Sequence, residues 1–190
     1  MKRRIFLTGP IGCGKSTILL RALGPENLHR AGGLLTVRRR RADGSPADFV
    51  LMDPSGKEKQ VFLDLTGAFP RLDMGVFSGL GAELLSRAAE ASFVILDEIG
   101  GIELLCPEFM AELDKLLASD VPIMGVLKGE GPASAMIAHL GLTKEYEEAA
   151  RSLRNRLARD DRASIYHCDQ FDTPALLPLA EHWVKEYAHE

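Results

Sequence analysis

The chain has 190 residues, 46% of them hydrophobic, which is enough for one compact domain to bury a core without disulfide or metal staples. Its 23 basic and 27 acidic residues leave a formal net charge of −4, which argues against a dedicated duplex-binding protein, so nucleic acid is an admissible partner but not a favoured one. Cys13, Cys106 and Cys168 form no CxxC pair and read as reduced thiols. The basic, then apolar start breaks at Gly9 and Pro10, too early for a signal peptide. No later run approaches the roughly 20 apolar residues of a membrane span, and the expectation is a soluble, cytoplasmic protein.

In chain order, Arg4 to Thr8 is a short apolar run ending in a glycine turn, the pattern of a fully buried strand. A helix is predicted from Lys15 to about Leu23, with Ile18, Leu19 and Leu23 apolar and Gly24-Pro25 as its stop. Gly33 to Arg39, Ala47 to Asp53 and Lys59 to Asp64 are short segments rich in Leu, Val and Phe, separated by turn residues, and predict an antiparallel meander. The pattern turns helical over Gly81 to Ala91, and Phe93 to Leu96 reads as another buried strand, ending at Asp97-Glu98. Helix Pro107 to Leu117, strand Val121 to Leu127, a charged helix near Lys144 to Arg159, strand Ser164 to Cys168 and helix Pro174 to Tyr187 complete the series. Such alternation predicts an α/β fold whose mostly parallel sheet is covered on both faces, with the meander as an insertion or edge addition. No repeat or linker divides the chain, so residues 1–190 read as one domain.

Gly9-Pro10-Ile11-Gly12-Cys13-Gly14-Lys15-Ser16-Thr17 satisfies GxxxxGK[ST]. A loop that wraps a phosphate with inward-pointing backbone N–H groups needs glycine where a side chain would block the approach or forbid the torsions, here at Gly9, Gly12 and Gly14. The helix that follows adds its unsatisfied amides and positive dipole end. Lys15 would reach the β and γ phosphates, and the Ser16 hydroxyl would coordinate Mg²⁺. The pattern's place between a buried strand and a helix separates it from an ordinary glycine-rich turn.

Asp97 and Glu98 stand at the carboxyl end of an apolar strand, where open α/β sheets bind ligands. Asp97 is the natural Walker B residue, holding Mg²⁺ directly or through water opposite Ser16. Glu98 would orient the attacking water or accept its proton. Without the phosphate loop the same pair would read equally well as solvated acids flanking a turn. The DxxG pattern fits Asp97-Glu98-Ile99-Gly100 but also Asp64-Leu65-Thr66-Gly67, which makes it a weak signal, and the guanine-reading NKxD motif is absent. Base choice is therefore expected to be permissive.

These residues resemble the small P-loop nucleoside-triphosphatase family that includes the cancer-related nucleoside-triphosphatase. The matching segments are Gly9 to Thr17, Gly33-Leu34-Leu35-Thr36 and Asp97-Glu98-Ile99-Gly100-Gly101-Ile102-Glu103-Leu104, followed by Phe109. The resemblance implies a three-layer, Rossmann-like P-loop fold and Mg²⁺-dependent hydrolysis of nucleoside 5′-triphosphates to diphosphate and phosphate, with low base discrimination. It implies Lys15 and Glu98 as catalytic residues, Ser16 and Asp97 at the metal, and Glu103 as a support near the site. Departures are Val37-Arg38, where the family tends to carry acidic residues, the turn from Gly44 to Phe49, and the segment from Gly129 to Leu142. A nucleoside, nucleotide or polynucleotide 5′-kinase would use the same loop, and a nucleotide-controlled binding module would use it without turnover.

Weaker signals remain. Arg38-Arg39-Arg40-Arg41 reads most simply as a solvated strand end, the alternatives being a polyphosphate guide or a transition-state arginine. Arg151, Arg154, Arg156, Arg159 and Arg162 fit an ordinary surface helix or, less simply, a kinase-like lid. With no committed arginine finger, slow basal turnover is expected. Cys13 contributes its backbone N–H to the loop, its thiol being incidental. The histidines have no metal-like spacing, and Trp183 and Tyr187 are packing residues.

Overall fold

Strands that are buried on both faces lose the alternation of polar and apolar residues, and the three central ones do so. In the computed structural model, which describes residues 1–129, 143–169 and 173–188, β1 (Arg4–Thr8), β6 (Val94–Ile99) and β7 (Ile123–Leu127) are almost wholly buried. They belong to a sheet of eight strands in the order β5-β4-β3-β2-β6-β7-β1-β8. Here β2 spans Gly32–Arg40, β3 Pro46–Met52, β4 Lys59–Asp64, β5 Arg71–Leu72 and β8 Ala163–His167. Pairings from β2 through β6, β7 and β1 to β8 are parallel. Those joining β2, β3, β4 and β5 are antiparallel.

The antiparallel addition is thus present, but its first strand is not peripheral. Gly32 to Leu34 pair in parallel with Val94 to Leu96, whereas Leu35 to Arg40 pair antiparallel with β3. One continuous strand belongs to both parts, so β3, β4 and β5 form an arm rooted beside β6. The two-residue β5 was too short to carry a sequence signal.

Helix α1 (Lys15–Leu28) and helix α5 (Thr173–Tyr187) cover one face of the sheet. Ile18, Leu19 and Leu23 of α1 and Ala180 and Trp183 of α5 meet Ile5, Leu7 and Ile95 there. On the other face, Phe6, Val94 and Leu96 meet α2 (Ala82–Ala88), α3 (Pro107–Ala118) and α4 (Thr143–Arg159). Successive strand residues point to opposite faces, which accounts for the split of Phe6 from Ile5 and Leu7. The expected stop of α1 is a break rather than an end. Gly24 leaves the helix at φ 65°, ψ 169°, and a further turn runs from Pro25 to Leu28. A π-helical turn, Phe77–Gly81, leads into α2. Of the segment after Lys128 where the resemblance ends, residues 130–142 lie outside the described residues, as do His139 and His189.

Cys13, Cys106 and Cys168 are buried and form no disulfide. No helix of the described residues is long and apolar enough to cross a membrane.

The bottom of the sheet carries a buried cation. Arg4 has 0% exposure; its guanidinium donates to the Leu117 carbonyl at 2.8 Å and to Asp160 Oδ2 at 2.6 Å, and also to the Ser119 carbonyl. Burial works against the Asp160 charge, but hydrogen bonds from Arg162 and the attraction of Arg4 outweigh it, and the carboxyl titrates below its usual range. A folded value below the unfolded one stabilises the fold above the unfolded pKa of about 3.9, and that stabilisation is lost as pH falls through the folded value. Asp160→Ala leaves Arg4 buried and unpaired, and it should cost about 3 kcal/mol at pH 7. Urea denaturation measures this, and the gap to the wild-type chain should narrow below about pH 4. Equal midpoints at pH 7 would refute it.

Candidate functional site

The loop between β1 and α1 takes the conformation its glycines permit. Gly9, Gly12 and Gly14 have φ of 143°, 79° and 97°, and a Cβ on Gly9 would overlap the Cys168 carbonyl. Gly14 caps α1, its carbonyl accepting from the Ile18 N–H at 2.9 Å. Lys15 is 9% exposed, and its Nζ donates to the Gly9 and Pro10 carbonyls at 2.9 and 2.6 Å. Its ammonium therefore lies across the loop. Cys13 packs into the core with Ile5 and Ile18, and its Sγ accepts from Lys15 Nζ at 3.5 Å. Thr17 is exposed beside Ser16 on the wall of the cleft.

Ser16 Oγ donates to Asp97 Oδ1 at 2.8 Å, joining the start of α1 to the end of β6. Asp97 is 3% exposed. Burial pushes its carboxyl up to about 7; the hydrogen bond from Ser16 opposes this, the neighbouring Glu98 charge adds to it, and Lys128 and the Thr36 backbone N–H oppose it. Two hard oxygen donors at this separation suit Mg²⁺, which takes few protein ligands and completes its shell with phosphate and water. Among the described residues no cluster of three or more His, Cys, Asp or Glu offers a metal a fuller cage.

The sequence did not reveal how Glu98 is aimed. Leu96 pairs with Gly125 and Ile99 with Leu127, so β6 holds one more residue than β7 over this stretch. Such a bulge breaks the alternation and redirects side chains. Glu98 adopts φ 59°, the left-handed region that costs a non-glycine residue about 1 kcal/mol. Its half-buried side chain lines the cleft beside the loop.

The turn after Glu98 is held from several sides. Glu103, 5% exposed, accepts from the Gly100 and Gly101 N–H groups at 2.7 Å each. Tyr146 on α4 donates to the Gly100 carbonyl at 3.0 Å, and the Lys128 N–H donates to the Ile99 carbonyl at 2.8 Å. Glu103 thus acts on the backbone that carries Glu98. Tyr146 and Lys128 were missed because neither belongs to a local motif.

A cleft of about 1070 Å³ runs from the loop past Thr36 and Glu98 into the antiparallel arm, where Phe49 and Phe62 form its wall. Strand alternation divides the arginine run. Arg39 makes a two-point pair with Asp48, both distances 2.6 Å, and Arg41 donates to the Leu65 carbonyl. Arg38 and Arg40 line the cleft instead. The solvated-end reading therefore does not describe Arg38, which is half-buried. In and beyond α4, Arg156 pairs with Asp114, Arg162 with Asp160 and Asp120, and Arg154 donates to the Lys128 carbonyl at 2.9 Å. These contacts fit the surface-helix reading.

A glycine loop between a buried strand and a helix, its serine bonded to a strand-end aspartate, defines a P-loop α/β protein. The sequence profile of the NTPase family matches residues 4–160, and the chain belongs to that family. Among its relatives, the nucleoside-triphosphatase THEP1 of Methanosarcina acetivorans is 29% identical over 132 residues, 65% of this chain and 75% of the relative. The protein of the same name from Thermofilum pendens is 32% identical over 135 residues, 66% and 73% of the two chains. The crystal structure of THEP1 from Aquifex aeolicus superposes with a TM-score of 0.62 at 22% identity, covering 94% of this chain and 99% of that one. The solution structure of a human cancer-related nucleoside triphosphatase gives 0.66 at 22% identity, covering 97% and 98%. Both share the three-layer fold.

A carboxyl raised by burial makes a direct expectation for the metal-free protein. Above pH 7 the folded state carries the full cost of the Asp97 charge; as pH falls through about 7 the folded state takes up a proton, and the cost is gone below the unfolded pKa. In a chelator at pH 8, Asp97→Asn should therefore unfold with a free energy on the order of 2 kcal/mol above wild type, the advantage fading toward pH 4. Urea titrations at both pH values measure it. A variant less stable than wild type at pH 8 would contradict this account of the site.

Proposed function

We propose that the protein hydrolyses nucleoside 5′-triphosphates, ATP and GTP among them, to the diphosphate and phosphate with Mg²⁺ and little base discrimination. The observation that carries this reading is the 2.8 Å bond between Ser16 and Asp97, with Glu98 as the next residue. It brings a metal-binding pair and a carboxylate for water to the mouth of one phosphate loop. The names of the relatives point the same way.

In this mechanism the loop amides and the N-terminus of α1 grip the β and γ phosphates. Lys15 turns from the Gly9 and Pro10 carbonyls to the phosphate oxygens and neutralises charge as it moves outward in the transition state. Ser16 and Asp97 would hold Mg²⁺, which supplies further charge neutralisation when bound. Glu98 orients a water in line with the bond that breaks and takes its proton. Glu103 keeps Glu98 in register through the Gly100 and Gly101 amides. Phosphoryl transfer needs positioning and charge more than covalent help. The absence of NKxD from the sequence accords with weak base selection.

Glu98→Gln should lower kcat by about 10²- to 10³-fold while leaving the Kd for a non-hydrolysable ATP analogue within a few-fold of wild type. Phosphate release with Mg²⁺ and a panel of nucleoside triphosphates, together with calorimetry, checks this. Excess chelator should abolish turnover. An unchanged kcat in the glutamine variant would rule out the water role.

A further inference from the structure

We propose that the arm of the cleft is a second-substrate site for a nucleoside 5′-monophosphate, to which the protein passes the terminal phosphoryl group of its triphosphate. The proposal rests on the reading of the phosphate loop given above. It takes the cleft further than hydrolysis requires.

Position is the first argument. On that reading the loop and Lys15 would fix the β and γ phosphates, with a cation held by Ser16 and Asp97, and Glu98 would mark the face of the γ phosphorus open to attack. The cleft does not stop at the loop and Glu98, and its lining continues along Thr36 and Arg38 of β2. A group seated there on the Glu98 side would approach as the nucleophile, with the leaving diphosphate on the opposite side of the phosphorus. At about 1070 Å³ the space sits at the upper end of ordinary ligand pockets.

Chemistry is the second. Arg38 is half-buried, its guanidinium 4.9 Å from the centre of the Phe49 ring. Its neighbour Arg39 has Asp48, whereas Arg38 has no carboxylate partner among the described residues. A half-buried guanidinium with no carboxylate partner on a cleft wall suits a phosphate. Deeper in the arm the wall is apolar, with Phe62 packed against Phe49 at 6.0 Å between ring centres. Phe69 stands at the rim with 81% of its surface exposed. The wall therefore combines a carboxylate, a cation and an aromatic surface. A monophosphate suits this set, with its phosphate toward the γ group and Arg38 and its base against the phenylalanines.

In the transfer, an oxygen of the acceptor phosphate forms a bond to the γ phosphorus as the bond from that phosphorus to the β–γ bridging oxygen breaks. The electron pair of the broken bond stays on the departing diphosphate. The acceptor is largely dianionic at neutral pH, its second pKa being about 6, so no proton has to be removed. The products are two nucleoside diphosphates. With the arm empty, water takes the acceptor's place and Glu98 serves it.

The test uses the full chain with Mg²⁺, ATP and, in turn, AMP, GMP, CMP and UMP labelled in the base, with all products resolved by chromatography. At least one labelled monophosphate should become diphosphate, with free phosphate falling as it does. Arg38→Gln should raise the half-saturating monophosphate concentration at least tenfold more than that of ATP. Phe69→Ala, at an exposed rim where folding is not at stake, should raise it severalfold. If phosphate is released normally and no monophosphate acquires label in the diphosphate, the acceptor site is wrong and hydrolysis stands. Competition of the monophosphate with a non-hydrolysable ATP analogue for one site also overturns it. Absence of both phosphate release and analogue binding overturns the loop reading itself, and the acceptor site with it.

Discussion

Ser16 and Asp97 are separated by 81 residues, yet one hydrogen bond of 2.8 Å decides how the site is assembled. The strands that carry them are not neighbours, because β7 lies between β1 and β6. Two steps across a sheet amount to about 10 Å, so the bond bridges over the end of the middle strand. On the opposite face of the sheet the middle strand is thinned between its neighbours. A Cβ on Gly125 of β7 would stand 2.7 Å from the Phe6 ring and 2.9 Å from the Leu96 carbonyl. Close packing of β1, β7 and β6 brings the loop and the carboxylate within reach of one another. The carboxylate is costly in the empty protein, and the Ser16 hydroxyl and Thr36 amide offset only part of that cost. A buried acid that is unfavourable alone becomes favourable once a cation reaches it.

Glu98 shows the same logic in the backbone. A bulge and a left-handed residue at the end of β6 are unfavourable locally and persist only where the surroundings hold them. Glu103, Tyr146 and the Lys128 amide supply that hold, from a short 3₁₀ turn, from α4 and from the residue that follows β7. The part of the DEIGxxEL segment beyond its acids thus has a physical role. Gly100, at φ 101°, permits the turn, and the glutamate three residues on satisfies its amides.

What was legible in the sequence follows from where the determining forces lie. The phosphate loop is local, since its glycines, lysine and helix start are contiguous, and all sit where their spacing predicts. Buried strands β1, β6 and β7 announce themselves as apolar runs for the same reason. The Gly24-Pro25 break was visible but not its outcome, because Pro25 is acceptable in the first turn of a new helix. The dual pairing of β2 was not legible, as both partners lie far along the chain. Nor was the sorting of Arg38 from Arg39, which depends on which face of β2 meets Asp48. Tyr146 and Lys128 reach the site only through tertiary packing.

Hydrolysis and transfer differ here only in which oxygen stands opposite the departing diphosphate. A site devoted to water gains nothing from an aromatic wall beyond the γ phosphate, since apolar surface holds no water in line. The arm does have such a wall, and it grows from the same strand that contributes the Thr36 amide to Asp97. An occupant pressing on β2 from the arm therefore acts on the strand that holds the Asp97 carboxylate. Filling the arm would exclude water from Glu98 and strengthen every charge interaction at the γ phosphate, because screening falls as the cleft dries. On the proposed acceptor reading, slow hydrolysis in the open cleft and faster transfer in the filled one would be two consequences of one geometry.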